Sequence, residues 1–231
     1  MRLDKFLCDS GYGTRSQVKQ LIKAGRVLVN KSPCKQADLK IDNLKDVITV
    51  DGNACSYSEF VYYMFHKPAG CVCAVKDNVN KTVMEYLNKE DLRRDLFPVG
   101  RLDKDTEGLL LLTNNGALSH RLLSPKKHVA KTYYVKIKEE ISAAALDLLE
   151  TGVDIGDEKK TLPAAVRIAG PKELFLTISE GRYHQIKRML FAVGNEVVYL
   201  KRISMGSLCL DENLKPGEYR ALTGEEIKKL C

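Results

Sequence analysis

No apolar run in the 231 residues approaches the ~20 that a membrane-spanning helix needs. A glycine-rich dinucleotide fingerprint and a phosphate-binding P-loop are both missing, which argues against redox-cofactor chemistry and against work driven by ATP. There is no internal repeat, no low-complexity stretch and no run of coiled-coil heptads. The seven cysteines are odd in number and widely spaced, which fits reduced thiols better than a disulfide framework. Cys71 and Cys73, with His66 nearby, lack a second cysteine pair at ligand spacing, so buried thiols are expected there in place of a metal site. The opening "MRLDKFLCDSG" scatters charges where a secretory signal would carry an apolar stretch, so a cytoplasmic location is expected. With 44% hydrophobic and 29% charged residues, the composition is that of a globular protein, either one large domain or a small one beside a medium one.

The net charge is +7, and it is concentrated: residues 1–35 hold eight basic side chains against Asp4 and Asp9 alone. That asymmetry favours a polyanionic partner, nucleic acid before membrane. Within the same stretch, "TRSQVKQLIKAG" has a capping-box pattern in Thr14 and Gln17. Apolar Val18, Leu21 and Ile22 follow at helical spacing, and Gly25 marks the stop. Arg15, Lys19 and Lys23 recur every fourth residue on the opposite face. Most such runs are solvated helix faces, but three aligned cations without an interleaved acid favour phosphate contact. "RVLVN" and "DVITVDG" read as short strands, with a turn at Asn30-Lys31.

From "VYYMFHKPAG" onward the pattern becomes mixed. Strand-like segments fall at 61–66, 109–113, 132–138, 174–179 and 197–203, and helical ones at 82–88, 116–123, 141–151 and 183–193. Strands in runs with helices between some of them argue for an α+β fold.

The stretch "GRLDKDTEGLLLLTNNG" places Asp103, Asp105 and Glu107 at alternating positions before Gly108, a spacing shared with calcium loops. The loop's last position is Asn114, where a bidentate Glu is needed, and leucines fill its middle, so calcium is excluded. Asp105 or Thr106 can cap a turn, and Leu109 to Leu112 suit a buried strand. Asp103 precedes these turn residues and is a candidate for chemistry. In "SEGRYHQIKRMLFAVG" a strand gives way to a helix with Ile186, Met189 and Leu190 on its apolar face. A lone histidine such as His184 is more often a satisfied structural group than a catalytic one. Lys187, one turn into that helix, gains nothing from the helix dipole, and Asp103 is its candidate partner. "HKPAG", with Lys67, reads by itself as a turn.

Two resemblances organise these segments. Residues 1–52 resemble an S4 RNA-binding domain, a small α-L module. "HKPAG", "GRLDKDTEGLLLLTNNG", "KTYYV", "EGRYHQIKRML" and "LKPGEYRALTGEEI" resemble, in order, the motifs of pseudouridine synthases of the RsuA/RluA type. The combined resemblance implies an S4 domain and linker over 1–58, and over 59–231 a catalytic domain with a central, mainly antiparallel sheet. It implies Asp103 as the catalytic aspartate, Tyr133 as the active-site tyrosine beside the uracil ring, and Lys187 as the cation paired with Asp103. Arg101 would contact RNA beside the flipped nucleotide. Lys67, Arg182 and Arg188, with Lys126, Lys127 and Lys131 and the S4 residues Arg2, Arg15, Lys19 and Lys23, are the further candidates for RNA contact. Spacing leaves Tyr133 open between core and ring-stacking roles; the resemblance selects the second. No cofactor is implied. "GRYHQIKRM", with Lys187 where many relatives carry Arg, is most similar to the RsuA type. That implies action on small-subunit (16S) ribosomal RNA or an assembly intermediate; with no coiled-coil heptads, a monomer is expected. Large-subunit RNA, or a non-catalytic S4-bearing assembly factor, is the alternative.

Overall fold

Thr14 starts the helix that the sequence announces. Its side chain accepts from the Gln17 amide, while Gln17 Oε1 accepts from the Thr14 amide at 2.8 Å, closing the capping box. The computed structural model describes residues 1–55 and 57–230, so Ser56 of the expected linker "GNACSYSEF" and Cys231 lie outside the described residues. The chain divides into two compact units: Met1–Val61 with Leu87–Leu96, and Tyr62–Tyr86 with the chain from Phe97 onward.

The first unit begins with α1 (Leu3–Asp9) and α2 (Arg15–Lys23). β1 (Val27–Val29), β2 (Ser32–Pro33), β3 (Ile48–Val50) and β4 (Asn53–Ala54) follow, in an antiparallel sheet of order β2-β1-β3-β4. Asn30 and Lys31 both take positive φ, 51° and 68°, as a two-residue hairpin turn requires. Asn30 stabilises it further by accepting from the Val47 amide and donating to Asp46. Leu3, Phe6 and Leu7 pack with Val18, Ile22 and Val27 in one core, and this packing leaves Arg15, Lys19 and Lys23 exposed on α2.

The second unit is a nine-stranded sheet of order β13-β5-β7-β11-β8-β10-β9, with β6 on β7 and β12 on β11. Its elements are β5 (Tyr62–Lys67), β6 (Phe97–Pro98), β7 (Glu107–Thr113), α3 (Gly116–Leu123), β8 (Lys131–Ile137), α4 (Ala143–Thr151), β9 (Ala165–Gly170), β10 (Glu173–Ile178), α5 (Gln185–Ala192), β11 (Val197–Met205), β12 (Leu208–Cys209), β13 (Tyr219–Ala221) and α6 (Gly224–Leu230). The pairings are antiparallel except β7 with β11, which run parallel through Glu107 and Gly108 opposite Lys201 and Arg202. Leu109 to Leu112 are fully buried, as a strand covered on both faces demands. Leu109 and Leu111 share a core with Leu118, Leu122 and Met205; a second core gathers Leu102, Tyr133, Leu149, Ile186, Met189 and Leu190. Burying each of the last three stabilises the α5 docking by about 1.5–3 kcal/mol.

The α+β class and the mainly antiparallel sheet are as expected. The helix expected at 82–88 is instead a single 3₁₀ turn, Val83–Tyr86. Glu85 accepts from the Thr82 amide there, and Val83 and Met84 are already buried. No helix among the described residues is long and apolar enough to cross a membrane.

Candidate active site

Asp103 stands at the head of the turn that feeds β7, and three contacts fix that turn from below. The Thr106 amide donates to the Asp103 carbonyl at 3.1 Å. Gly70, in the "HKPAG" turn, donates its amide to the Lys104 carbonyl at 2.7 Å. Lys67 is fully buried, and its ammonium donates to the carbonyls of Pro68 (3.1 Å), Lys104 (3.2 Å) and Thr106 (2.8 Å). Burial pushes the Lys67 ammonium below its ordinary range, and the three carbonyl dipoles oppose that loss. Lys67 is therefore a bracket under the Asp103 turn, and the expectation that it contacts RNA is corrected: no part of it is exposed.

Gly108 has a second structural reason. It lies at φ 105°, and a Cβ there would run into the Arg202 backbone, so glycine is what lets β7 and β11 approach. Just before Asp103, the Leu102 amide donates to Cys73 Sγ at 3.3 Å. Burial holds the Cys73 and Cys71 thiols up, in the neutral form. The expectation of buried thiols fits Cys71, which is fully buried, and Cys73, which is half-buried.

The opposite wall is the start of α5. Lys187 Nζ lies 3.7 Å from Asp103 Oδ2, and His184 Nε2 lies 3.5 Å from Oδ1. Lys187 is closer to Asp105, donating to both carboxylate oxygens at 2.6 and 2.7 Å, and this holds the Asp105 carboxyl below the usual range. The cation expected to pair with Asp103 thus spans two carboxylates. Its tighter bond goes to Asp105, whose turn position aims it at α5.

These groups line a cleft of about 1070 Å³ together with Arg101, Tyr133 and Arg182. Leu102, Ile178, Ile186 and Leu200 supply apolar walls beside the Tyr133 ring, and Arg202 and Lys131 lie at its polar end. The cleft brings together an aromatic ring, apolar side chains and the Asp103 carboxylate, which is 26% exposed.

Several expected RNA contacts are committed elsewhere. Arg182 donates to Glu180 at 3.0 Å and to the carbonyls of Lys159 and Lys160, and pairs with Asp157. Arg188 pairs with the same Asp157 and donates to the carbonyls of Ile155 and Tyr183. Lys131 is buried and donates to the Val129 carbonyl at 2.8 Å; burial lowers its pKa. Arg2 forms a bidentate pair with Asp4. Each of these guanidinium or ammonium groups already faces protein acceptors; Lys131 is buried as well, whereas the Arg2 side chain stays 55% exposed. Arg101, Arg15, Lys19 and Lys23 remain exposed.

Comparison with known proteins agrees with this geometry. Residues 61–192 match the family model of RNA pseudouridylate synthases, and residues 1–48 match the S4 domain. The chain belongs to the RNA pseudouridylate synthase family. It is 52% identical over 234 residues to an uncharacterized RNA pseudouridine synthase of Bacillus subtilis, covering 100% of this chain and 98% of that protein. It is 42% identical over 233 residues to ribosomal small subunit pseudouridine synthase A of Vibrio cholerae, covering 100% and 99%. A solved pseudouridylate synthase superposes with a TM-score of 0.71 at 39% identity, covering all of both chains. This protein is accordingly an enzyme that isomerises uridine to pseudouridine in RNA.

Asp105, Arg202 and Tyr183 were not singled out by sequence as site residues. Asp105 looked like a turn former, and nothing in the sequence shows that Arg202 is drawn into the cleft by the parallel pairing of β11 with β7. Tyr183 carried a signal, an aromatic in an otherwise polar strand-to-helix turn.

Proposed function

We propose that this enzyme converts a uridine of small-subunit ribosomal RNA to pseudouridine, with Asp103 as the reacting carboxylate. The single observation that carries the reading is the placement of Asp103 in a cleft also lined by Tyr133, within 3.5 Å of His184 and 3.7 Å of Lys187 at the start of α5. The reaction breaks the bond from the ribose to nitrogen 1 of uracil, turns the base and forms a bond to carbon 5. Nitrogen 1 gains a proton and carbon 5 loses one, so atoms and electrons balance without a co-reactant. An ionised carboxylate serves such a sequence as nucleophile or base. Lys187 lies 3.7 Å from that carboxylate, and Tyr133 offers its ring to the extruded base. Extrusion costs a few kcal/mol, offset by stacking in the slot and by phosphate contacts.

The S4-like module, assigned to 1–58, supplies those contacts through Arg15, Lys19 and Lys23, and 59–231 supplies the chemistry. Small-subunit RNA is favoured because the relative from Vibrio cholerae carries that target in its name. The enzyme acts as a monomer in the cytoplasm, where ribosomal RNA is matured. Carbodiimide-dependent primer extension on small- and large-subunit RNA, free and in assembly particles, tests the reading. One new stop on small-subunit RNA is expected, lost with Asp103→Asn. A stop on large-subunit RNA overturns the target, and no stop anywhere despite binding overturns the catalytic role.

A further inference from the structure

Tyr183 leaves 73% of its surface exposed, and it does so at the rim of the cleft. A single exposed aromatic needs no explanation by itself. Here it comes with a particular setting. Its ring stacks on His184, with centroids 3.9 Å apart and planes 16° from parallel. His184 holds a left-handed backbone, φ 47°, an uncommon state for a residue with a side chain. That backbone places its imidazole between the Tyr183 ring and the Asp103 carboxylate, 3.5 Å from Nε2.

The segment that carries the pair is clamped by Arg182 and Arg188. Arg188 Nη1 donates to the Tyr183 carbonyl at 3.2 Å, and the Arg182 amide donates to Gln185 Oε1 at 2.9 Å. Arg182 and Arg188 both reach Asp157, so one acid ties the two sides of the turn together. Two rings are thus held in one stack, with one end against the reactive carboxylate and the other largely in solvent.

We propose that this Tyr183–His184 stack is a shelf for a nucleobase that flanks the target uridine, so that the enzyme selects RNA in which a neighbour of that uridine is unpaired. The inference rests on the proposed function and extends it to substrate selection. Tyr133 receives the extruded base inside the slot; Tyr183 receives its neighbour outside. Stacking of this kind tolerates any base and is lost when the base is lost.

The test compares the full-length wild type with Tyr183→Ala and Tyr183→Phe on small-subunit ribosomal RNA, reading KM, kcat and, with the Asp103→Asn enzyme and its double variants, Kd. Tyr183→Ala is expected to raise KM and Kd by about 5- to 100-fold, the span one stacked base contributes. Its kcat falls less than its KM rises, since Tyr183 lies at the rim of the cleft and not against Asp103, and Tyr183→Phe restores KM and Kd because the ring is kept. Short hairpins around the mapped uridine, made abasic at each neighbour in turn, sharpen the result. One abasic position should weaken the wild type and leave Tyr183→Ala no weaker than before. An unchanged KM and Kd in Tyr183→Ala, with normal turnover, overturns the shelf and keeps the catalytic reading. Binding that depends on Tyr183 without any turnover keeps the shelf and overturns the catalytic reading.

Discussion

The cations of the two units are used in opposite ways. On α2, Arg15, Lys19 and Lys23 point into solvent, and among the described residues none of them carries an ion pair or side-chain hydrogen bond. In the second unit the basic side chains that looked most like RNA contacts are built into the protein: Lys67 under the Asp103 turn, Arg182 and Arg188 around the α5 start, Lys131 on the Val129 carbonyl. The difference teaches that positive charge in a nucleic-acid enzyme serves two purposes that sequence does not separate. Exposed cations attract phosphates, whereas buried ones position the groups that react.

Lys67→Met gives the largest expected effect. Three carbonyls, the Thr106 one buried, lose their donor, which costs about 3 kcal/mol, while Lys19→Met stays within about 0.5 kcal/mol. Chemical denaturation of the two variants side by side checks this, and equal stabilities would remove the contrast. Next comes Asp105→Asn, which leaves Lys187 to the 3.7 Å contact with Asp103 and its aim unfixed. A fall in kcat of about 10- to 100-fold with KM held is expected from a misplaced charge, read by single-turnover kinetics. A rise in KM alone would make Asp105 part of the RNA surface instead.

A smaller effect concerns acid. Arg220 lies between Asp211 and Glu226 and holds the Glu226 carboxyl down to about 2, against an ordinary 4.5. A depressed folded-state value means stability that is present above the unfolded value and lost as pH falls from about 4.5 toward 2. Glu226→Gln should flatten the acid limb of the unfolding midpoint by the equivalent of about 1–3 kcal/mol. Arg15 and Lys23 on α2, which hold no carboxylate in this way, should leave that limb unchanged.

Much of this was legible in the sequence because it rests on local patterns. The Thr14–Gln17 box, the helices at 116–123, 143–151 and 185–192, and the buried Leu109–Leu112 strand follow from capping and periodicity. Short or edge elements were not legible: α1 has no side-chain cap, and β9 exposes alternate and adjacent residues alike, so neither period stands out. The return of Leu87–Leu96 to the first unit depends on long-range packing with no local signature. At the site, motif resemblance pointed to Asp103 and Tyr133, and both line the cleft. The sharing of Lys187 between Asp103 and Asp105, and the commitment of Arg182 and Arg188 to Asp157, arise from contacts 25 to 84 residues apart that periodicity does not encode.

The central claim, that affinity lies in the α2 ridge and chemistry in the cleft, is tested most directly by the salt dependence of RNA binding. Kd would be measured from low to physiological salt for the wild type and for Arg15→Ala, Lys19→Ala and Lys23→Ala, singly and combined, with the single-turnover rate at saturating RNA. The account predicts a slope of log Kd against log salt that falls by about 1 for each ridge cation removed, with the saturated rate unchanged. A slope that survives the triple variant would contradict it and move the phosphate contacts elsewhere.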